Sequence, residues 1–205
     1  LIEISFLSDG LILRGTLHLP ALDHPPVVIG SHGLYSSQES PKQIGLARAC
    51  NALGLAYFRF DHRGCGSSQG EFEQVTSLAA RCTDLKLAIE TLKTQNRIGN
   101  RIGLFGSSMG GTVCLSVASQ HKINALVTFA APLRSRIEGA KPGQLKDPDT
   151  PEILLDANKN GFDISEYLAP LSNILIIHGE KDQTVPLSHA EEIHRAAKLE
   201  RRRLA

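Results

Sequence analysis

Apolar and polar residues alternate from the first position. Ile2, Ile4 and Phe6 fall on one side of an extended segment and Glu3 and Ser5 on the other, as in a half-buried strand. Residues 11–19 repeat this alternation, and Ser8-Asp9-Gly10 between the two runs carries a hairpin signal. Beyond Pro25-Pro26 the pattern changes. Val27 to Gly30, Leu55 to Phe60, Arg101 to Phe105, Ala125 to Phe129 and Ile174 to Ile177 are short, nearly unbroken apolar runs, as expected of strands buried on both faces. Helical spacing separates them, over 41–53, 77–94, 109–120 and 186–199. In the second of these, Leu78, Leu85, Ala88, Ile89 and Leu92 share a face. Strand alternating with helix predicts a mostly parallel central sheet with helices on both faces, and the opening hairpin adds antiparallel strands at one edge. Residues 133–172 break the rhythm with four prolines and weak periodicity, and are expected to form a small lid insertion.

At 205 residues the chain fits one domain, 1–205, with enough length to bury a core without disulfides or metal. Lys and Arg number 22 against 21 Asp and Glu, a net charge of +1, which gives no electrostatic reason to bind nucleic acid or a membrane surface. No apolar run approaches the ~20 residues that span a bilayer. Cys50, Cys65, Cys82 and Cys114 show no metal-ligand spacing and are expected as free thiols in a reducing, cytoplasmic setting. No metal or other cofactor is called for. The chain opens inside a strand at Leu1 and ends in a charged helix, so it reads as part of a longer one, with a leader before Leu1 left open.

Gly-x-Ser-x-Gly occurs twice, as Gly66-Ser67-Ser68-Gln69-Gly70 and Gly106-Ser107-Ser108-Met109-Gly110. Nucleophilic chemistry needs a strand that turns sharply into a helix and lifts a hydroxyl above the sheet. Only the second copy has that setting, between Arg-Ile-Gly-Leu-Phe and a small-residue helix, so Ser108 is the candidate nucleophile and Ser68 a structural turn. Gly64-Cys-Gly66 and its neighbours are one residue too long for a dinucleotide loop and precede no apolar helix.

With these motifs the chain resembles the α/β-hydrolase fold family, in its serine esterase and serine aminopeptidase-like branch. The resemblance covers about residues 10–200. It rests on Ser31-His32-Gly33-Leu34 after a buried strand, Asp61-His62-Arg63-Gly64-Cys65-Gly66-Ser67-Ser68, the Ser108 turn, and His178-Gly179-Glu180-Lys181-Asp182-Gln183-Thr184-Val185-Pro186, in that order. It implies a serine hydrolase that cleaves a small ester, thioester or amide. Ser108 would be the nucleophile and Asp182 the acid that orients the base, while Leu34 and Met109 would supply the backbone N–H groups of the oxyanion hole. His32 is expected to brace loop backbone, and Arg63 to pair with Asp61. The resemblance places the catalytic His after one more strand, so it is expected beyond Ala205. His189 and His194 then read as a solvated helix surface. Two alternatives stay open: a non-catalytic ligand-binding module on the same fold, and an acyltransferase using the same nucleophile. The partner in either enzymatic case is a small acyl substrate. Oligomeric state is not readable.

Overall fold

The computed structural model describes residues 1–135 and 161–197. Strands β1 (Ile2–Ser8) and β2 (Leu11–His18) form the expected hairpin, with Asp9 and Gly10 both at positive φ (48° and 82°), as a two-residue turn between twisted strands requires. Next come β3 (Val27–Ser31), α1 (Pro41–Ala52), β4 (Ala56–Phe60), α2 (Phe72–Val75) and α3 (Leu78–Lys93). Then follow β5 (Ile102–Ser107), α4 (Met109–Ala118), β6 (Ala125–Phe129), β7 (Ile174–Ile177) and α5 (Leu187–Ala196). The sheet order is β1-β2-β4-β3-β5-β6-β7, antiparallel across β1, β2 and β4 and parallel from β4 to β7. This is the fold class that the alternation predicts.

Helices start where their caps allow. The Ser77 hydroxyl accepts from Ala80 N–H at the start of α3, and the Ser40 hydroxyl accepts from Gln43 N–H at the start of α1. All five residues of β4 are buried, and Phe58 and Phe60 stack at 5.8 Å with Phe6 edge-on to Phe60. Burying each such ring contributes roughly 1.5–3 kcal/mol. The short helix α2 is missed by patterning, because Phe72-Glu-Gln-Val75 is too brief and polar to show a period.

Of the lid expectation for 133–172, only the two flanks fall within the described residues. Residues 136–160 lie outside the described residues. The flanks are tied down instead: Arg134 and Asp163 form a bridge, and Ile164 N–H donates to Leu133 C=O. Ile164, Leu168 and Leu171 are buried in the main core. Sparse apolar residues on a turn-rich segment carry no period, so their burial is not legible from spacing.

Candidate active site

Strand β5 runs into helix α4 through one residue, Ser108, at φ 53° and ψ −129°. A serine in this region is strained by on the order of 1–3 kcal/mol and persists only where its surroundings over-determine it. They do so here. Ser108 N–H donates to Phe129 C=O at 2.8 Å, and Ser108 C=O accepts from Gly111 N–H at 2.7 Å. A Cβ on Gly106 would lie 2.2 Å from Gly110 O, and one on Gly110 would lie 2.1 Å from Ser31 O, so both approaches require glycine. Met109, the first residue of α4, is buried, and among the described residues its N–H donates to no group.

The loop after β3 lies against this turn. A Cβ on Gly33 would sit 3.6 Å from Ser108 Cβ. Leu34 is buried, and its N–H too has no acceptor among the described residues. Ser107, Ser108, His32, Gly33, Ser36 and Lys42 line part of a pocket of about 340 Å³. Lys42 Nζ rests 4.5 Å from the Phe129 ring, and burial pushes its pKa down. His32 braces backbone: Nδ1–H donates to Gly33 C=O at 2.7 Å and Nε2 accepts from His62 N–H at 3.1 Å. Burial, with the neighbouring His62 and Arg81, holds its pKa well below the usual value, so it stays neutral.

The loop after β4 differs from expectation. Arg63 does not pair with Asp61. Its guanidinium meets Asp84 of α3 (Nε to Oδ1 2.9 Å, Nη2 to Oδ1 2.8 Å) and Asp9 (2.9 Å). Asp61 instead accepts from Gln38 N–H, Gln38 Nε2, Ser67 N–H and Ser67 Oγ, at 2.7–3.1 Å. The side chains diverge because Asp61, the residue after β4, faces Gln38, whereas Arg63 turns toward Asp84 of α3. Ser68 is structural: its hydroxyl donates to Asp61 C=O and accepts from Arg14 N–H.

Asp84 also receives His62 Nδ1 at 3.3 Å, and His62 Nε2 accepts from Ser31 Oγ at 2.9 Å. Ser31, His62 and Asp84 thus repeat the residue types of a hydrolytic triad, but all three are wholly buried. Burial lowers the His62 pKa to about 4, outweighing its hydrogen bond to Asp84. Burial would raise the Asp84 carboxyl, but the His62 and Arg63 bonds prevail and hold it well below the usual carboxylate range.

Asp182 follows β7, and Ser108 follows β5, so both leave the same edge of the parallel sheet with β6 between them. Oδ1 of Asp182 accepts from Thr184 and Val185 N–H, both at 2.9 Å, and among the described residues Oδ2 accepts nothing. His178 Nε2–H donates to Val185 C=O at 2.7 Å, closing the same turn.

A family model described as serine aminopeptidase, S33, matches residues 23–146. The chain belongs to this family of α/β-hydrolases. It is 32% identical over 154 residues to the uncharacterized protein YfhR of Escherichia coli O157:H7, covering 71% of this chain and 49% of YfhR. It is 34% identical over 107 residues to a mitochondrial palmitoyl-protein thioesterase, ABHD10, of Bos taurus, covering 51% of this chain and 33% of that protein. The chain therefore spans about half the length of YfhR and a third of the thioesterase. In fold it is similar to Est1E of Butyrivibrio proteoclasticus, solved with ferulic acid bound, at a TM-score of 0.79 and 22% identity over 96% of this chain and 87% of that one.

In this S33 hydrolase chain, two expectations about histidines part ways. His32 is structural, as its residue context implies. His189 is not on a solvated surface: it is fully buried, and Nδ1 accepts from Leu133 N–H at 2.9 Å, because α5 turns that face onto the segment after β6. His194 is half-buried. Four residues that shape the site, Ser31, His62, Arg81 and Asp84, escape a sequence reading that looks for catalytic spacing; Arg81 and Asp84 interrupt an otherwise apolar helix face, and that was the available signal. Among the described residues no cluster of His, Cys, Asp and Glu could hold a metal, no helix is long and apolar enough to cross a membrane, and the four cysteines are free.

Proposed function

We propose that the chain carries the nucleophile, oxyanion hole and acid of a serine hydrolase that cleaves a small ester, thioester or amide through an acyl-enzyme on Ser108. One observation carries the reading. Ser108 is held at strained positive φ between β5 and α4, beside two backbone N–H groups, of Leu34 and Met109, that no group of the described residues accepts. Unspent donors next to a strained serine suit an oxygen that becomes negative only during reaction.

In this mechanism Ser108 Oγ attacks the substrate carbonyl carbon and its proton passes to an imidazole. The carbonyl oxygen becomes an oxyanion held by Leu34 and Met109 N–H. The C–O, C–S or C–N bond then breaks, the leaving group takes the imidazole proton, and water repeats the sequence on the acyl-serine. Asp182 would orient the imidazole through Oδ2, since Oδ1 is already used by its own turn. The imidazole is assigned to a histidine beyond Ala205. That place rests on the family resemblance, which puts this histidine after one more strand. Of the eight histidines present, His32 has both ring nitrogens spent, His62 and His189 are buried, and His178 Nε2 is bound to Val185 C=O. Thioester cleavage agrees with the name of the thioesterase relative.

The test is turnover of p-nitrophenyl acetate and butyrate by the full-length protein and its Ser108→Ala variant. Loss of several orders of magnitude is expected; undiminished turnover would reject Ser108.

A further inference from the structure

The guanidinium of Arg81 is wholly buried, yet among the described residues it has no carboxylate within ion-pair distance. Its Nη donors go to three successive backbone carbonyls, Nη1 to His32 O (3.5 Å) and Gly33 O (3.4 Å) and Nη2 to Leu34 O (2.9 Å), while Nε has no partner among the described residues. Nη2 also reaches Cys65 Sγ at 3.3 Å. Burying a cation without a counter-charge is costly, and burial duly lowers its pKa. Packing alone would be served by an apolar side chain.

The geometry of the peptide unit shows what the arginine does. In a trans peptide the C=O of one residue and the N–H of the next point in opposite directions. Turning the His32, Gly33 and Leu34 carbonyls toward Arg81 therefore turns the N–H groups of Gly33, Leu34 and Tyr35 away from it. None of those three N–H groups donates to another of the described residues. They face the side of the loop opposite Arg81, where Gly33 lies against the serine turn: a Cβ on Gly33 would sit 3.6 Å from Ser108 Cβ. The His32 ring adds a second hold on the Gly33 carbonyl.

We propose that Arg81 is a positioning residue that orients the Gly33–Tyr35 backbone N–H groups to receive the oxyanion formed at Ser108. The inference rests on the Ser108 reading given above. Arg81 does not touch substrate; it acts through the peptide planes of the loop, and its buried charge adds positive potential beneath them.

Steady-state kinetics of the full-length protein on p-nitrophenyl butyrate test this, with Arg81→Met and Arg81→Lys beside the parent. Active enzyme is counted by fluorophosphonate labelling of Ser108, so a poorly folded fraction does not enter kcat. Losing one properly aimed oxyanion donor costs roughly 10²–10³ in kcat. The expectation for Arg81→Met is a fall in kcat of about 10²-fold with KM changed less than about threefold, and weakening of a trifluoromethyl ketone inhibitor by a matching factor. Arg81→Lys keeps the charge but not the fork, and should fall between the two; if Arg81→Met does not fold, the kcat of Arg81→Lys decides. A normalised kcat equal to the parent's, or a change confined to KM, would overturn the role of Arg81. Undiminished turnover by Ser108→Ala would overturn the Ser108 reading and this inference with it, and is scored separately.

Discussion

A single methyl group at Gly110 should disable the site from behind. A Cβ there would lie 2.1 Å from Ser31 O, 2.6 Å from Ser31 C and 2.7 Å from His32 O. All three are backbone atoms, so no side chain can swing aside. To reach even 3.0 Å, the end of β3 and the helix must separate by about 0.9 Å. That movement carries Leu34 away from Ser108, because Gly33 and Leu34 follow directly on His32. A misplacement of about 1 Å in a reacting constellation costs about 10²-fold in rate. Overpacking of this kind costs about 1–3 kcal/mol of stability. Gly110→Ala should thus lower kcat/KM for p-nitrophenyl butyrate about 10²-fold and shift the urea midpoint downward. Gly45→Ala is the control: no atom lies within 4 Å of its Cβ position inside α1, so stability should rise by roughly 0.5–1 kcal/mol. Activity within threefold of the parent for Gly110→Ala, with an unchanged midpoint, would refute the argument that this contact fixes the oxyanion loop.

Stability should also fall in acid. His62 binds its proton near pH 4 when folded and near 6.5 when unfolded, so unfolding takes up a proton between those values; about 3 kcal/mol is lost as pH drops through that window, and His32 adds a loss of the same sign. Asp84, whose folded carboxyl lies below its ordinary 3.8, adds a further loss only under that value. A urea midpoint that stays flat from pH 7 to pH 4.5 would contradict this. Asp84→Ala leaves the buried Arg63 guanidinium only the exposed Asp9 carboxylate and takes the partner of His62 Nδ1, and should cost about 3–5 kcal/mol, read by chemical denaturation. Asp182→Asn keeps an oxygen for the Thr184 and Val185 N–H groups, so the midpoint should hold while kcat of the full-length protein falls roughly 10³–10⁴-fold; equal kcat would remove Asp182 from the acid role.

The parallel half of the sheet was legible because strands buried on both faces write themselves as apolar runs; β6 and β7 begin and end where their runs do. The Ser108 turn was legible because glycine spacing and a small-residue helix are steric requirements that few sequences meet by accident. Partnership among polar residues was not. Arg63 sits two positions from Asp61 yet pairs with Asp84, since the choice depends on which way a loop turns and on α3 arriving overhead. Arg81 and Asp84 fall on the apolar face of α3, but spacing does not say what they meet there: Arg81 meets the loop after β3 and Asp84 the loop after β4. His189 is buried by a segment with no period of its own. Patterning reports burial of apolar surface; it carries little information about polar groups that are buried because something else covers them.

The pairing of β3 with β5 has a kinetic consequence. Ser31 sits opposite Gly106 in that ladder, so the loop after β3 and the turn after β5 are brought together by strands from distant parts of the chain. Neither segment can find the other through local contacts, and parallel pairing of this kind is slow to nucleate because loop closure must precede any reward. A slip of one residue would turn every side chain of β3 to the wrong face and move Leu34 off Ser108. During refolding, helical circular dichroism should therefore return before hydrolytic competence. The interval between the two signals times the locking of this one register.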